Sequence, residues 1–226
     1  MTKPTCVVCG IGPKNGASFA RRYAREGYQV AMLSRSTELS SQLASELDGA
    51  RAYACDVADA DAVARAFSAV RDDLGPVDVL VFNAGSGAWG NIEELSAEDF
   101  ERGWRINALG TFLAAKQVIP DMVARGAGTI VVVGATASLR GKPFTTGFAP
   151  AKAAQRSLAQ AMARHLGPKG IHVALMIIDG GIGDPGTDDP QRLDPEAIAD
   201  AAYFLTTQAR SAWTFELDLR PHVENW

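Results

Sequence analysis

Seven residues near the N-terminus carry the clearest chemical pattern: Gly10-Ile11-Gly12-Pro13-Lys14-Asn15-Gly16. Glycines let a backbone bend sharply and come close to a ligand. Thr5-Cys6-Val7-Val8-Cys9 precedes them as a buried strand, and Phe19, Ala20, Tyr23 and Ala24 follow at helical spacing. Strand, glycine turn and helix together make a cradle for a pyrophosphate, in which the helix start offers free N–H groups and a partial positive charge. The spacing of Gly10, Gly12 and Gly16 is one residue longer than the common G-x-G-x-x-G, and from these residues alone an ordinary tight turn reads equally well.

Further residues with chemical reach recur at the ends of strands. The second strand, 29–33, runs into Ser34-Arg35-Ser36. An adenosine ribose lies at that point of a dinucleotide fold, where an acidic residue would accept from the 2′-hydroxyl. None is present. Arg35 instead offers a guanidinium suited to a 2′-phosphate, and Lys14 can add a second positive charge, so NADP(H) is favoured over NAD(H). A short strand, 52–55, leads to Asp56-Val57, where Asp56 either caps the next helix or meets an adenine amino group. The apolar strand 77–82 ends in Asn83-Ala84-Gly85, a turn through which backbone approaches a ligand. Asn107 falls inside a helical pattern, where a buried amide needs partners and can re-route backbone hydrogen bonds. Phe148 and Lys152 are four apart and share a helix face.

The elements that must position these residues alternate strand and helix along the chain. Helices are expected over 38–47, 59–74, 99–125 with a kink at Pro120, and 195–208; another begins at a Thr146 N-cap and runs to Leu166, with Pro150 in its first turn. Strands are expected over 128–133 and 171–178, and Trp213, Phe215, Leu217 and Leu219 alternate with polar residues as a last strand. Segment 180–195, rich in Gly, Pro and Asp, is expected to be a mobile lid. This order predicts an α/β fold, a doubly wound parallel sheet with helices on both faces, in one domain over 1–226. The net charge of −4 argues against a broad nucleic-acid or anionic-membrane surface. No apolar run is long enough to span a bilayer, and Met1-Thr2-Lys3-Pro4 starts no apolar leader, so a soluble cytoplasmic protein is expected. Cys6, Cys9 and Cys55 fit a reducing compartment; Cys6 and Cys9 face opposite sides of one strand, so no metal or redox pair is expected.

The chain resembles the short-chain dehydrogenase/reductase family over essentially its whole length. The resemblance rests on ordered matches: Gly10 to Gly16, Asp56, Asn83-Ala84-Gly85, Asn107 followed by Gly110, Lys152, and Gly180-Gly181-Ile182 after the sixth strand. It implies a Rossmann-like fold of about seven strands, a nicotinamide cofactor, and hydride transfer to or from a carbonyl or alcohol. It also implies that backbone at Gly10, Gly12, Asn15, Gly16, Val57, Ala84, Gly85, Gly180 and Ile182 touches the cofactor, that Lys152 binds the nicotinamide ribose, and that Asn107 holds a relay water. The sequence departs from the family pattern at two positions. Phe148 stands where the family has Tyr, and Ala135 stands where it has Ser; Thr136 is adjacent but is expected to point to the other side of an extended segment. Smaller departures are Lys14 for a glycine and Asp179 for a proline.

Phe cannot donate a proton, so the resemblance supports the cofactor site better than the usual carbonyl chemistry. Two functions stay open at this point: an NADP(H)-dependent oxidoreductase with an altered proton source, and a non-catalytic NADP(H)-binding sensor or partner subunit. For the first, Lys152 acting through a water with Asn107, or Asp179 at the pocket mouth, could supply the proton. The substrate is expected to be a small organic molecule, and the chain a homodimer or homotetramer, because an aromatic sheet edge at Trp213 and Phe215 would need a cover.

Overall fold

The computed structural model of the chain describes residues 3–224; Met1 and Thr2, where the reading of the N-terminus begins, lie outside them. The strands are β1 (Thr5–Cys9), β2 (Gln29–Ser34), β3 (Ala50–Ala54), β4 (Val79–Phe82), β5 (Gly128–Ala135), β6 (Ile171–Ile178), β7 (Gly181–Ile182), β8 (Arg192–Leu193) and β9 (Glu216–Leu219). Seven of them form one parallel sheet in the order β3-β2-β1-β4-β5-β6-β9. The helices are α1 (Asn15–Arg25), α2 (Glu38–Glu46), α3 (Ala60–Leu74), α4 (Ala97–Trp104), α5 (Gly110–Arg125), α6 (Phe148–Leu166) and α7 (Pro195–Thr206). The strand order reverses between β1 and β4, which opens a crevice beyond their C-terminal ends.

Side-chain alternation along the strands divides the core into two layers. Cys6 and Val8 of β1 join Phe19 and Tyr23 of α1 and Ile198 of α7 on one face. Val7 and Cys9 join Phe67 of α3, Val118 of α5 and Met162 of α6 on the other. Burial pushes the thiols of Cys6 and Cys9 well above the usual cysteine range, so both are inert packing groups. Local chemistry starts the helices: Asp59 accepts from the N–H groups of Asp61 and Ala62 at α3, Ser96 from Asp99 at α4, and Asp194 from Glu196 at α7. None of the helices among the described residues is long and apolar enough to cross a membrane.

Several expected elements differ in detail. The helix expected over 99–125 is interrupted by a π-helical turn, Arg105–Leu109. Asn107 is fully buried there, and its Nδ2 donates to Gly103 O at 2.9 Å and Ser86 O at 3.0 Å. The side chain takes the carbonyl that a backbone N–H would otherwise use, so the turn widens. The helix continues through Pro120. Helix α6 begins after Gly147 rather than at a Thr146 cap, because the Thr146 hydroxyl donates to Pro143 O. The last strand is only Glu216–Leu219; Trp213 precedes it and stacks on His172 with centroids 4.9 Å apart. The expected aromatic edge is therefore partly consumed within the chain. Segment 180–195 is clasped at its base by β7 and β8, which pair with each other.

Replacing Asn107 with Ala would leave the carbonyls of Gly103 and Ser86 without their shared donor. Urea unfolding of Asn107→Ala is expected to give a loss of about 1–3 kcal/mol; an unchanged midpoint would mean that the amide does not hold the turn.

Candidate functional site

The crevice at the sheet switch point opens into two cavities that share Asn83, Gly85 and Ser86 and so form one groove. The first, about 570 Å³, lies over the ends of β1, β2 and β4. Its floor is the glycine turn. Gly10 has φ +94°, and a Cβ there would stand 2.5 Å from Ala84 backbone; one at Gly16 would stand 2.5 Å from Gly10 O. Those two glycines are fixed by the protein's own packing. Gly12 is different, since a Cβ there would meet nothing within 4 Å, and the open space in front of it is room for a ligand. Asn83 Nδ2 donates to Gly10 O at 2.7 Å and pins the turn to β4. The chain's residues thus fit a pyrophosphate at this turn.

Arg35 lines the far end of this cavity and makes no ion pair among the described residues. Asp56 and Val57 line it as well. Asp56 Oδ1 accepts from Ala58 N, while the helix cap is Asp59, so Asp56 is left facing the cavity. Lys14 does not join Arg35. Its Nζ donates to Ile182 O at 2.9 Å and pairs with Asp184 at 3.2 Å, so its charge is spent on segment 180–195. The expectation of a second basic residue beside Arg35 is corrected accordingly. Arg102 and Ile106, four residues apart on one helical face, also line this cavity. The Arg102 guanidinium bonds to Asp99 at 2.7 Å. The sequence reading missed both residues, whose only signal was their spacing ahead of Asn107.

The second cavity, about 450 Å³, brings Phe148, Lys152, Ala135, Asp179 and Asn15 together. Asn15 is 7% exposed and its Oδ1 has no hydrogen-bond partner. Thr136 also lines the cavity, because the chain leaves extended geometry at Ala135 and enters a 3-10 turn; its hydroxyl donates to Ile178 O at 3.2 Å. Asp179 lies between two arginines, 3.7 Å from Arg140 and 3.7 Å from Arg220. Gly180 has φ +143° and packs against Pro221, where a Cβ would stand 2.9 Å away.

Lys152 is buried and its Nζ donates to Val133 O at 3.0 Å and to Gln155 Oε1 at 2.9 Å. Burial pushes its amine down to about 7, because an ammonium loses water there with no carboxylate in exchange. Gln155, a residue the sequence reading did not single out, lies three positions on along the same face. Its Nε2 donates to Asn107 O at 3.1 Å and to Thr111 Oγ1 at 2.9 Å. One amide thus links the lysine to the π-turn. The Asn107 side-chain Oδ1 remains buried without a partner. A Cβ on Gly85 would stand 3.3 Å from that oxygen and 3.7 Å from Lys152 Nζ, so both polar atoms face the same spot. Phe148 holds its ring with the centroid 5.8 Å from Lys152 Nζ and 4.8 Å from the Trp89 centroid. None of the residues described forms a cluster of three or more His, Cys, Asp or Glu able to hold a metal.

The lowered amine gives a signed test. Between pH 7 and about 10.4 the unfolded chain carries a proton on this lysine that the folded chain lacks, so folding stability rises with pH across that window. The native chain should gain up to about 1.4 kcal/mol per pH unit relative to Lys152→Met between pH 7 and 10 in urea unfolding. A pH-independent difference would mean the amine keeps its ordinary affinity for protons.

Comparison with known proteins agrees with the geometry. Residues 5–188 match the short chain dehydrogenase family. A D-threitol dehydrogenase from Mycolicibacterium smegmatis is 30% identical over 222 residues, covering 90% of this chain and 85% of that protein. An inactive 2-(S)-hydroxypropyl-CoM dehydrogenase 2 from Xanthobacter autotrophicus is 33% identical over 208 residues, covering 82% and 90%. The crystal structure of an alcohol dehydrogenase from Thermococcus sibiricus, complexed with 5-hydroxy-NADP, superposes with a TM-score of 0.90 at 27% identity, covering 99% of this chain and 98% of that one. With its sheet order, its glycine turn and a match over most of its length, the chain belongs to the short chain dehydrogenase family.

Proposed function

We propose that this protein is an NADP(H)-dependent oxidoreductase in which Lys152, rather than a tyrosine, supplies the proton. The observation that carries this reading is the buried Lys152 amine, its two acceptors on the protein side and the unpartnered Asn107 Oδ1 beside it. When bound, the nicotinamide supplies or accepts the hydride. The glycine turn would take the pyrophosphate on backbone N–H groups, and unpaired Arg35 would take the 2′-phosphate. Asp56 would accept from the adenine amino group, and Asn15, which lines the second cavity and whose buried Oδ1 has no partner, would offer an acceptor to the nicotinamide end. Support for NADP(H) also comes from the relative solved with an NADP derivative.

Phe148 and Ala135 carry no hydroxyl, so neither can donate to a substrate oxygen. A lysine titrating near neutrality can. Its two N–H bonds to Val133 O and Gln155 Oε1 suffice for a neutral amine; the third proton of the ammonium form has the cavity side left. Gln155 occupies the Asn107 carbonyl, so a water bridging to Lys152 would sit on Asn107 Oδ1 instead. In reduction, the hydride goes to a substrate carbon, the Lys152 proton goes to the atom that gathers charge, and the neutral amine recovers a proton from water in the groove. Asp179 is engaged by two arginines, and no step is routed through it.

The absence of hydroxyls at Phe148 and Ala135 also favours the second reading, a non-catalytic NADP(H)-binding protein, and one relative is named inactive. NADPH oxidation across a panel of carbonyls and enones separates the two. The first reading expects turnover of at least one compound, with Lys152→Met lowering it by about 10²–10⁴; tight NADPH binding with no turnover supports the second. Arg35→Ala is expected to weaken NADPH by about tenfold or more in calorimetric titration and leave NADH little changed. Equal or tighter NADH binding to the native protein would contradict the NADP(H) preference.

Two further readings concern the surface. Phe100, Trp104 and Phe112 are exposed along α4 and α5, which supports a homodimer or homotetramer. Light scattering near the 23.9 kDa of one chain at micromolar concentration would exclude it. Residues 183–191 carry little buried apolar surface, which supports a lid that orders when the groove is filled; the Lys14–Asp184 pair is exposed and weak enough to release.

A further inference from the structure

The second cavity combines a flat aromatic wall with a positive rim. Trp89 is tilted 38° to Phe148 and 31° to Phe144, with centroids 4.8 and 6.1 Å away. Trp89 remains 58% exposed and Phe144 53% exposed, although both line a concavity. Exposed aromatic faces gathered inside a cavity are a surface for another flat apolar group. The same wall carries Arg140 and Lys142. Asp179 is the carboxylate beside Arg140, at 3.7 Å; Arg220 also stands 3.7 Å from Asp179 but bonds more closely to Asp218, at 2.8 Å. Lys142 makes no ion pair among the described residues. With Asp179 set against Arg140 and Asp218 against Arg220, Lys142 leaves the rim one positive charge in surplus.

We infer that this cavity takes a substrate with a flat, conjugated or aromatic body and a carboxylate, the body lying along Trp89, Phe144 and Phe148 and the anion on Arg140 and Lys142. The inference names the substrate class of the reaction proposed above and rests on that reading of the cavity. Arginine's planar fork matches a carboxylate in two parallel hydrogen bonds, and the long 3.7 Å contact to Asp179 leaves those donors uncommitted. A neutral substrate of the same shape would bury the aromatic wall equally well and leave the cations unsatisfied, so the acid should be the preferred partner.

The test compares 2-naphthoate with its neutral counterpart 2-naphthylmethanol, by calorimetric titration of the full chain saturated with NADP+. The acid is expected to bind about tenfold tighter or more at low salt. Its advantage should shrink when salt is raised to about 0.5 M, where exposed charges are screened. The Arg140→Gln, Lys142→Gln double variant should lose the preference while keeping its affinity for the alcohol, and Trp89→Ala should weaken both ligands alike. Equal binding of acid and alcohol by the native protein overturns the inference. So does a double variant that loses NADP+ and keeps the acid preference, since the cations would then belong to the cofactor. Failure of NADP+ to bind at all, with the acid still preferred, would instead overturn the oxidoreductase reading and leave the ligand class standing.

Discussion

An amine buried on the inner side of a groove must find acceptors or give up its proton, and Lys152 does both. Val133 O at the end of β5 and Gln155 Oε1 on α6 take its two N–H bonds, and burial lowers its proton affinity to near neutrality. Its position depends on elements far apart in sequence. Strand β5 supplies one acceptor, α6 supplies both the lysine and the glutamine, and Gln155 in turn is tied to the π-turn through Asn107 and Thr111. Widening of the helix at that turn is what leaves the Asn107 carbonyl available to Gln155 and its side-chain oxygen beside Gly85. The lysine, the π-turn and Gly85-Ser86 just beyond β4 therefore form one polar unit in an otherwise apolar layer. Such a unit rigidifies a site only when nearly every member is satisfied, and the one oxygen left over, Asn107 Oδ1, lies buried beside Gly85.

The other end of the groove follows from backbone geometry. Gly10 and Gly16 are fixed by contacts of the protein with itself, whereas the space before Gly12 is open. Asn83 couples the glycine turn to the end of β4, so that turn and the one beside Lys152 are held by neighbouring strands of one sheet. A parallel sheet buried on both faces is a stiff support, and it places the ends of β1, β2, β4 and β5 along a single line.

Much of the fold was legible because strands and helices alternate with strong periodicity, and the apolar runs at 5–9, 77–82 and 171–178 left little room for other assignments. The groove's glycines, Asn83, Asp56 and Lys152 were legible for the same reason: each stands at a strand end or on a helix face that the topology brings to the crevice. Other features were hidden. Lys14 lies in the glycine turn by sequence, yet its long side chain reaches a carbonyl 168 positions away, which no local pattern could reveal. Gln155 carries no local signal of its role, since its partners Lys152, Asn107 and Thr111 emerge only from the packing of α6 against the π-turn. The strand expected to start at Trp213 begins at Glu216, because stacking on His172 draws the indole out of the ladder. Arg140 and Lys142 were legible as part of the pocket wall, whereas Arg102 carried no local sign of the cavity it lines.

Reduction in this groove turns, on the proposed reading, on the proton carried by Lys152. Its most direct test is the pH dependence of single-turnover NADPH oxidation with a carbonyl or enone that the protein reduces. A lysine donor titrating near neutrality predicts a fast step at acid pH that slows about tenfold per unit above pH 7. A rate that stays level to pH 9, or that first falls near pH 10, would contradict it.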